Sequence, residues 1–244
     1  MSLLTYILSP ITHLYNGLIF GILHPTQIIA HRLFGEKARL KVISALHFLM
    51  TRALYILCSK IRINGKENLP DNSRPIIIIS NHQSFYDIFT IGYLFRKNIV
   101  KYVAKKSLGK GIPTVSYSLK KGGSALIDRE NGSQAVRELF KLGKHIQENK
   151  YAACIYPEGS RSKTGKVQHF HSAGVSTLLR SAPDAIIIPF AIKGHSSLNE
   201  KSKIWIKTRQ RIEYTIFPAI DPKTKEVENI IQDIYTQIKN KVED

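Results

Sequence analysis

A chain of 244 residues with 43% hydrophobic side chains has material for one large domain and its core, which excludes wholesale disorder. Its 36 Lys and Arg against 18 Asp and Glu give a formal charge of +18. That excess suits an anionic partner: nucleic acid, an acidic membrane surface, an acidic protein or a phosphorylated substrate. The two cysteines, Cys58 and Cys154, both fall in apolar patterns and read as reduced core thiols, which fits a cytosolic compartment.

Residues 1 to 30 contain no Asp, Glu, Lys or Arg, and Leu3 to Leu23 is mostly apolar. No positive segment precedes this run, which argues against a secretory signal. A spanning helix, a helix lying in the membrane interface and a core helix all remain open. Arg32, Lys37, Arg39 and Lys41 follow, and would keep the carboxyl side cytosolic if the segment spans. A second helical pattern runs through Val42, Ile43, Leu46, Leu49, Met50, Leu54 and Leu57, with Arg52 on the other side. Residues 1–58 are expected to form a membrane-attached helical pair, and residues 59–244 the folded domain.

Ile61 to Ile63 begins a strand, and the turn cluster Gly65 to Ser73 leads to Pro75-Ile-Ile-Ile-Ile-Ser80. Four isoleucines in a row predict a short strand buried on both faces. A helix from about Phe85 to Arg96 follows, then a strand from Asn98 to Lys105 and a segment rich in Gly and Lys. Gly123 to Ile127 reads as another strand. Ser133 is the expected N-cap of a helix whose apolar side carries Val136, Leu139, Phe140 and Ile146. Tyr151 to Ile155 and Ala185 to Phe190 are two further buried strands, separated by a helix from about Ala173 to Arg180. Ile204 to Lys207 and Ile212 to Phe217 predict a hairpin around Arg209-Gln210. Val227, Ile230, Ile231, Ile234 and Ile238 line one face of a terminal helix. Strands alternating with helices predict an α/β domain with a mixed, largely parallel sheet flanked by helices.

The ends of these strands carry the candidate chemistry. Asn81-His82 follows the isoleucine strand, and Asp87 stands five residues beyond the histidine. That spacing is wrong for one helix face, so the two meet only if His82 sits in the turn and Asp87 in the first helical turn. Open α/β sheets place ligands at such strand ends. Taken alone, the pair also fits a loop histidine and an acid favouring a helix amino terminus. Tyr156-Pro-Glu158-Gly159-Ser160-Arg161 ends the next buried strand and offers a guanidinium fork for phosphate with a tight turn of backbone N–H groups. Arg129 ends the intervening strand, and Lys105 the one before it. G-x-S-x-G is absent, so no lipase-type nucleophile is supported. Gly159 to Lys166 has five residues between its glycines and Val167 where magnesium would need a hydroxyl, which excludes a P-loop. His169 and His171 lack a third nearby ligand, and no metal is expected.

In order, Asn81-His-Gln-Ser-Phe-Tyr-Asp87, Gly123-Ser-Ala-Leu-Ile-Asp-Arg129, Tyr156-Pro-Glu-Gly-Ser-Arg161-Ser and Ile187-Ile-Pro-Phe190 resemble the four motifs of the glycerolipid acyltransferases. The resemblance covers roughly residues 60 to 220 and is closest to the 1-acyl-sn-glycerol-3-phosphate type. It implies that His82 is the general base and that Asp87 orients it. Glu158, Gly159, Ser160 and Arg161, helped by Arg129 and Lys105, would hold the acceptor's glycerol phosphate. It implies no cofactor, with acyl-CoA or acyl-carrier protein as co-substrate. Implied partners are lysophosphatidic acid, an acyl thioester donor that includes acidic acyl-carrier protein, and a membrane surface. The implied location is the cytoplasmic membrane, with the catalytic domain on the cytosolic side. Two departures stand out: Phe170-His171-Ser172 replaces the usual Phe-Lys-x, and Lys120-Lys121 precedes the second motif. A different lysolipid acceptor is the alternative within enzymes. Outside that class stand a non-catalytic peripheral membrane protein and a nucleic-acid binder; the positive residues are scattered and match no nucleic-acid motif, so no such partner is expected.

Overall fold

The computed structural model describes residues 2–162, 164–199 and 204–244. Seven strands form one sheet: β1 (Lys60–Asn64), β2 (Ile76–Ser80), β3 (Val100–Lys105), β4 (Ala125–Ile127), β5 (Ala152–Ile155), β6 (Ile186–Lys193) and β7 (Arg211–Ile216). Their spatial order is β1-β7-β6-β2-β5-β3-β4. All neighbours are parallel except β6 and β7, so the expected mixed, largely parallel sheet is what the chain builds.

The isoleucine strand explains this arrangement. β2 sits at the centre, and all five of its residues are buried. Ile76 and Ile78 face one apolar cluster and Ile77 and Ile79 the other, as strand alternation requires. Helices cover both faces. α1 (Leu3–Ile56), α2 (Tyr86–Leu94) and α3 (Pro113–Lys121) lie on the first face, and α4 (Gly132–Asn149), α5 (Ala173–Ser181) and α6 (Val227–Glu243) on the second.

α1 is two helical segments joined at Gly35, whose φ of 75° and ψ of −170° break the helical path. The segments fold back on each other, and Tyr15 Oη donates to the Leu49 carbonyl at 3.0 Å. The second segment buries Leu46, Met50, Ala53 and Leu54 in the core. The first behaves differently: it turns a mixed side inward, with polar groups bonded to the domain beside Ile19, Phe20 and Leu23. Ser9 Oγ donates to the Ile206 carbonyl at 3.0 Å, Asn16 Nδ2 to Tyr86 Oη at 2.8 Å, and Gln27 Nε2 to the Thr114 carbonyl at 3.0 Å. Leu3, Ile7, Ile11, Leu14, Leu18, Ile22, Ile29 and Leu33 form an exposed stripe on the opposite face.

Several expectations need correction. Residues 204–208 form no strand, so β7 has no hairpin partner there. Backbone groups of that segment pair instead with α1 side chains; Ile206 N–H donates to Ser9 Oγ at 2.9 Å. β7 takes β6 and β1 as neighbours. Cys58 is exposed, because it lies just past the helix in a left-handed conformation with φ 54°. The α4 cap is Asn131, whose Oδ1 accepts from Gln134 N–H at 3.0 Å, while Ser133 Oγ only donates to that cap. Leu139, Leu142 and Ile146 carry the buried face of α4, and Val136 and Phe140 are exposed. Arg39 is 1% exposed and grips Glu36 through two 2.7 Å bonds, so it is not a solvated flanking charge. α3 fills the segment read only as rich in Gly and Lys, with Pro113 in its first turn. Lys120 and Lys121 occupy its last turn, where exposed cations complement the helix carbonyls.

Candidate active site

β2 ends at Ser80, and the chain turns through Asn81 to Ser84 before α2 begins at Tyr86. Asn81 extends the sheet with its side chain: Nδ2 donates to the Ile192 carbonyl and Oδ1 accepts from Ile192 N–H, both at 2.8 Å. This clamp holds the turn against β6. His82 Nδ1 then meets Asp87 Oδ2 at 2.7 Å, the geometry that the five-residue spacing requires.

Asp87 is fully buried, and each oxygen is engaged. Oδ2 also accepts from the N–H groups of Gln83 at 2.7 Å and Ser84 at 2.9 Å. Oδ1 meets Nδ1 of a second histidine, His195. Burial pushes the Asp87 carboxyl up, but hydrogen bonds from His195 and His82 outweigh it and leave the group well below the usual carboxylate range. An ionised carboxylate only accepts, so His82 carries its proton on Nδ1 and presents the Nε2 lone pair. Tyr156 stacks on the imidazole with centroids 4.1 Å apart and planes 16° apart. The side chain of His82 keeps 19% of its surface accessible. A base with one free nitrogen, held through Nδ1 by Asp87, stacked on Tyr156 and still partly accessible, is suited to take a proton from an entering hydroxyl.

The loop after β5 docks on the same turn. Glu158 Oε1 accepts from His82 N–H at 2.9 Å, and Ser162 N–H donates to the His82 carbonyl at 2.8 Å. Gly159 N–H closes the loop on the Tyr156 carbonyl at 3.0 Å, so it is spent inside the turn rather than offered to a ligand. Ser160 and Arg161 are exposed beside it, and Arg161 has no ion pair among the described residues. Lys105 and Arg129 are exposed at the same end of the sheet. β3 lies two strands from β2, about 10 Å away, and β4 one strand further. His82, Asp87 and Glu158 are thus bonded together, Gly159 to Arg161 adjoin them, and Lys105 and Arg129 flank the site without touching it.

Glu158 departs from its expected part as a ligand group. The residue is buried, and its carboxyl supports the His82 backbone. Oε2 is enclosed without a well-formed hydrogen bond, although Gln168 faces the carboxyl and offsets part of the cost. Burial, only partly opposed by the His82 N–H, pushes Glu158 up to about 7. A folded-state value above the ordinary 4.5 means that Glu158 is harmless at acid pH and costs stability as pH rises through about 7. Glu158→Gln should therefore match the wild type near pH ~3.5, below the ordinary carboxyl value, and exceed it by about 3 kcal/mol near pH ~8.5. Urea denaturation at the two pH values measures this; equal stability of the two proteins at the higher pH contradicts it.

Sequence reasoning missed Gln83, Tyr156 as a stacking partner, His195 and Tyr214. Gln83 Oε1 accepts from His195 N–H at 3.0 Å, and Tyr214 Oη meets His195 Nε2 at 2.6 Å. His195 follows the buried strand β6, so the strand-end rule that found His82 reaches it as well. Gly194 between them has a φ of 93°, and a Cβ there would stand 2.1 Å from the Arg211 carbonyl oxygen. Only glycine lets the chain turn that closely under β7.

The family model described as Acyltransferase matches residues 60–193, more than half of the chain. The chain belongs to the acyltransferase family. All of the site except His195 and Tyr214 falls inside the matched stretch. A 1-acyl-sn-glycerol-3-phosphate acyltransferase of Saccharomyces cerevisiae is 31% identical over 138 residues, covering 57% of this chain and 44% of that protein. One from Haemophilus influenzae is 33% identical over 121 residues, covering 45% of this chain and 50% of the relative. The chain therefore aligns with half or less of the length of these acyltransferases. The crystal structure of the 1-acyl-sn-glycerophosphate (LPA) acyltransferase from Thermotoga maritima superposes with a TM-score of 0.74 at 25% identity, covering 99% of this chain and 94% of that one. The acyltransferase fold is thus shared almost end to end.

Proposed function

We propose that the chain transfers an acyl group from an acyl thioester, acyl-CoA or acyl-carrier protein, to the free sn-2 hydroxyl of 1-acyl-glycerol-3-phosphate, giving phosphatidic acid. The observation that carries this reading is the His82–Asp87 pair at the end of β2, bonded to the loop that bears Arg161. A base without a nucleophile calls for direct attack. His82 Nε2 takes the proton as the acceptor oxygen bonds to the thioester carbonyl. The C–S bond then breaks, and the imidazolium returns the proton to the departing thiolate. Asp87 holds the Nδ1–H and stabilises the imidazolium between the two transfers.

Arg161 is the phosphate ligand in this scheme, with Ser160 beside it and Lys105 and Arg129 adding positive field from β3 and β4. Glu158 and Gly159 shape the loop. Names of the relatives that include 1-acyl-sn-glycerol-3-phosphate support this acceptor. Arg161→Ala should raise the acceptor KM about 10-fold to 100-fold, the worth of a charge-assisted hydrogen bond, with a much smaller change in kcat. An unchanged acceptor KM would refute the phosphate assignment.

Residues 1–58 serve as the membrane-binding part and residues 59–244 carry the chemistry. α1 is long and apolar enough to cross a membrane. Its first segment is nonetheless bonded to the domain from Ser9 to Gln27, which favours lying along the interface over spanning. The exposed stripe would enter the lipid, and the site would face lysolipid in the cytosolic leaflet of the cytoplasmic membrane. The net positive charge favours anionic lipid and acidic carrier protein.

A further inference from the structure

We propose that His195 is a positioning residue of the catalytic centre, acting on His82 through the carboxylate that the two histidines share. The inference rests on the reading of His82 as the base. His195 lies just past the stretch matched to the family, two residues beyond the end of β6.

Its surroundings are complete. The ring is fully buried, and both nitrogens are engaged: Nδ1 with Asp87 Oδ1 and Nε2 with Tyr214 Oη at 2.6 Å. Tyr214 Oη in turn lies 3.2 Å from Thr90 Oγ1. The His195 backbone N–H donates to Gln83 Oε1, so the residue next to the base also fixes the second histidine. A line of hydrogen bonds therefore runs Thr90–Tyr214–His195–Asp87–His82, buried as far as Asp87, and burial strengthens such chains.

A buried histidine with satisfied nitrogens is often only a core residue, but the identity of the acceptor matters here. His195 is the sole donor to Asp87 Oδ1 among the described residues, whereas Oδ2 has three donors. Removing the ring would leave half of a buried carboxylate unpaired in an apolar site, a costly condition. The charge that His195 now draws toward Oδ1 would fall back on Oδ2, and His82 would hold its Nδ1 proton and its imidazolium more tightly. Other titratable groups facing the dyad are Glu158 under the His82 backbone, Tyr156 and Cys154 from β5 and its loop, and Tyr214 with Tyr55 behind it. None of these changes in the variants below except Tyr214, where stated.

The test is an NMR titration of His82, with histidine labelled at Cε1, in the full chain carrying His195→Leu or His195→Asn. Asn keeps a donor toward Asp87 where Leu has none. The midpoint of His82 should rise by about half a unit or more in His195→Leu and stay near the wild-type value in His195→Asn. In parallel, kcat should fall about 3-fold in the Leu variant with both KM values kept, because an imidazolium held more tightly returns its proton to the departing thiolate more slowly. Tyr214→Phe keeps the ring and removes the hydroxyl on Nε2; it should move His82 in the same direction by less, and stands in if the Leu variant does not fold. An unmoved or lowered His82 midpoint, with only the melting temperature changed, would overturn the proposal and leave His195 a core residue. The titration needs no substrate, so a wild type inactive on lysophosphatidic acid would count against the proposed reaction without deciding this one.

Discussion

His82→Ala should lower kcat/KM for acyl transfer by ~10² to 10⁴-fold while the protein stays folded. The loss follows, in the proposed reaction, from removing the group that takes the acceptor proton. The fold should survive because the imidazole remains partly accessible, with its stack on Tyr156 and its bond to Asp87 as its side-chain contacts among the described residues. Asp87 keeps the Gln83 and Ser84 amides and His195 after the substitution, so its charge remains paired. Circular dichroism and thermal melting check the fold, and initial rates the chemistry. A variant with a native melt and near-native rate would mean that another group accepts the proton.

The second large effect concerns the membrane. Leu14, Leu18 and Ile22 are 65%, 56% and 63% exposed on the outer face of α1. Burying each in lipid is worth about 1 to 2 kcal/mol, and an added aspartate also opposes anionic headgroups. The triple variant Leu14→Asp, Leu18→Asp, Ile22→Asp should therefore bind phosphatidylglycerol vesicles ~10³-fold more weakly. Its melting temperature should hold, because the bonds that seat α1, from Ser9, Asn16 and Gln27, lie on the other face. Flotation with vesicles measures the binding. Undiminished flotation would remove the stripe from the membrane interface.

The fold was largely legible because its strongest local signals agree with its tertiary roles. Ile76 to Ile79 could bury both faces only as a central strand, and that strand organised the parallel sheet around it. His82 and Asp87 were legible because a spacing of five excludes one helix face and leaves a strand-to-helix turn. What escaped depended on partners distant in sequence. Residues 204–208 have a strand-like pattern, but Ser9 satisfies the backbone at Ile206, a pairing that no local pattern encodes. α3 was missed because Thr114, Val115 and Ser116 are poor helix formers, and burial against α1 decides for the helix. Cys58 looked like a core thiol until the chain's left-handed turn carried it outward. Glu158 reads as a phosphate-side ligand from its motif, whereas its burial under the His82 backbone makes it a support. His195 sits 108 residues from Asp87, and only the sheet brings the two together.

The most direct test of the proposed reaction is acyl transfer to 1-acyl-glycerol-3-phosphate in mixed micelles, with acyl-CoA and acyl-carrier protein each supplied as donor. Phosphatidic acid should form with the wild type and only in trace with His82→Ala. Acylation of a lyso-aminolipid or lysophosphatidylcholine but not of lysophosphatidic acid would contradict the acceptor and the part given to Arg161. No acylation of any lysolipid would contradict the enzyme itself.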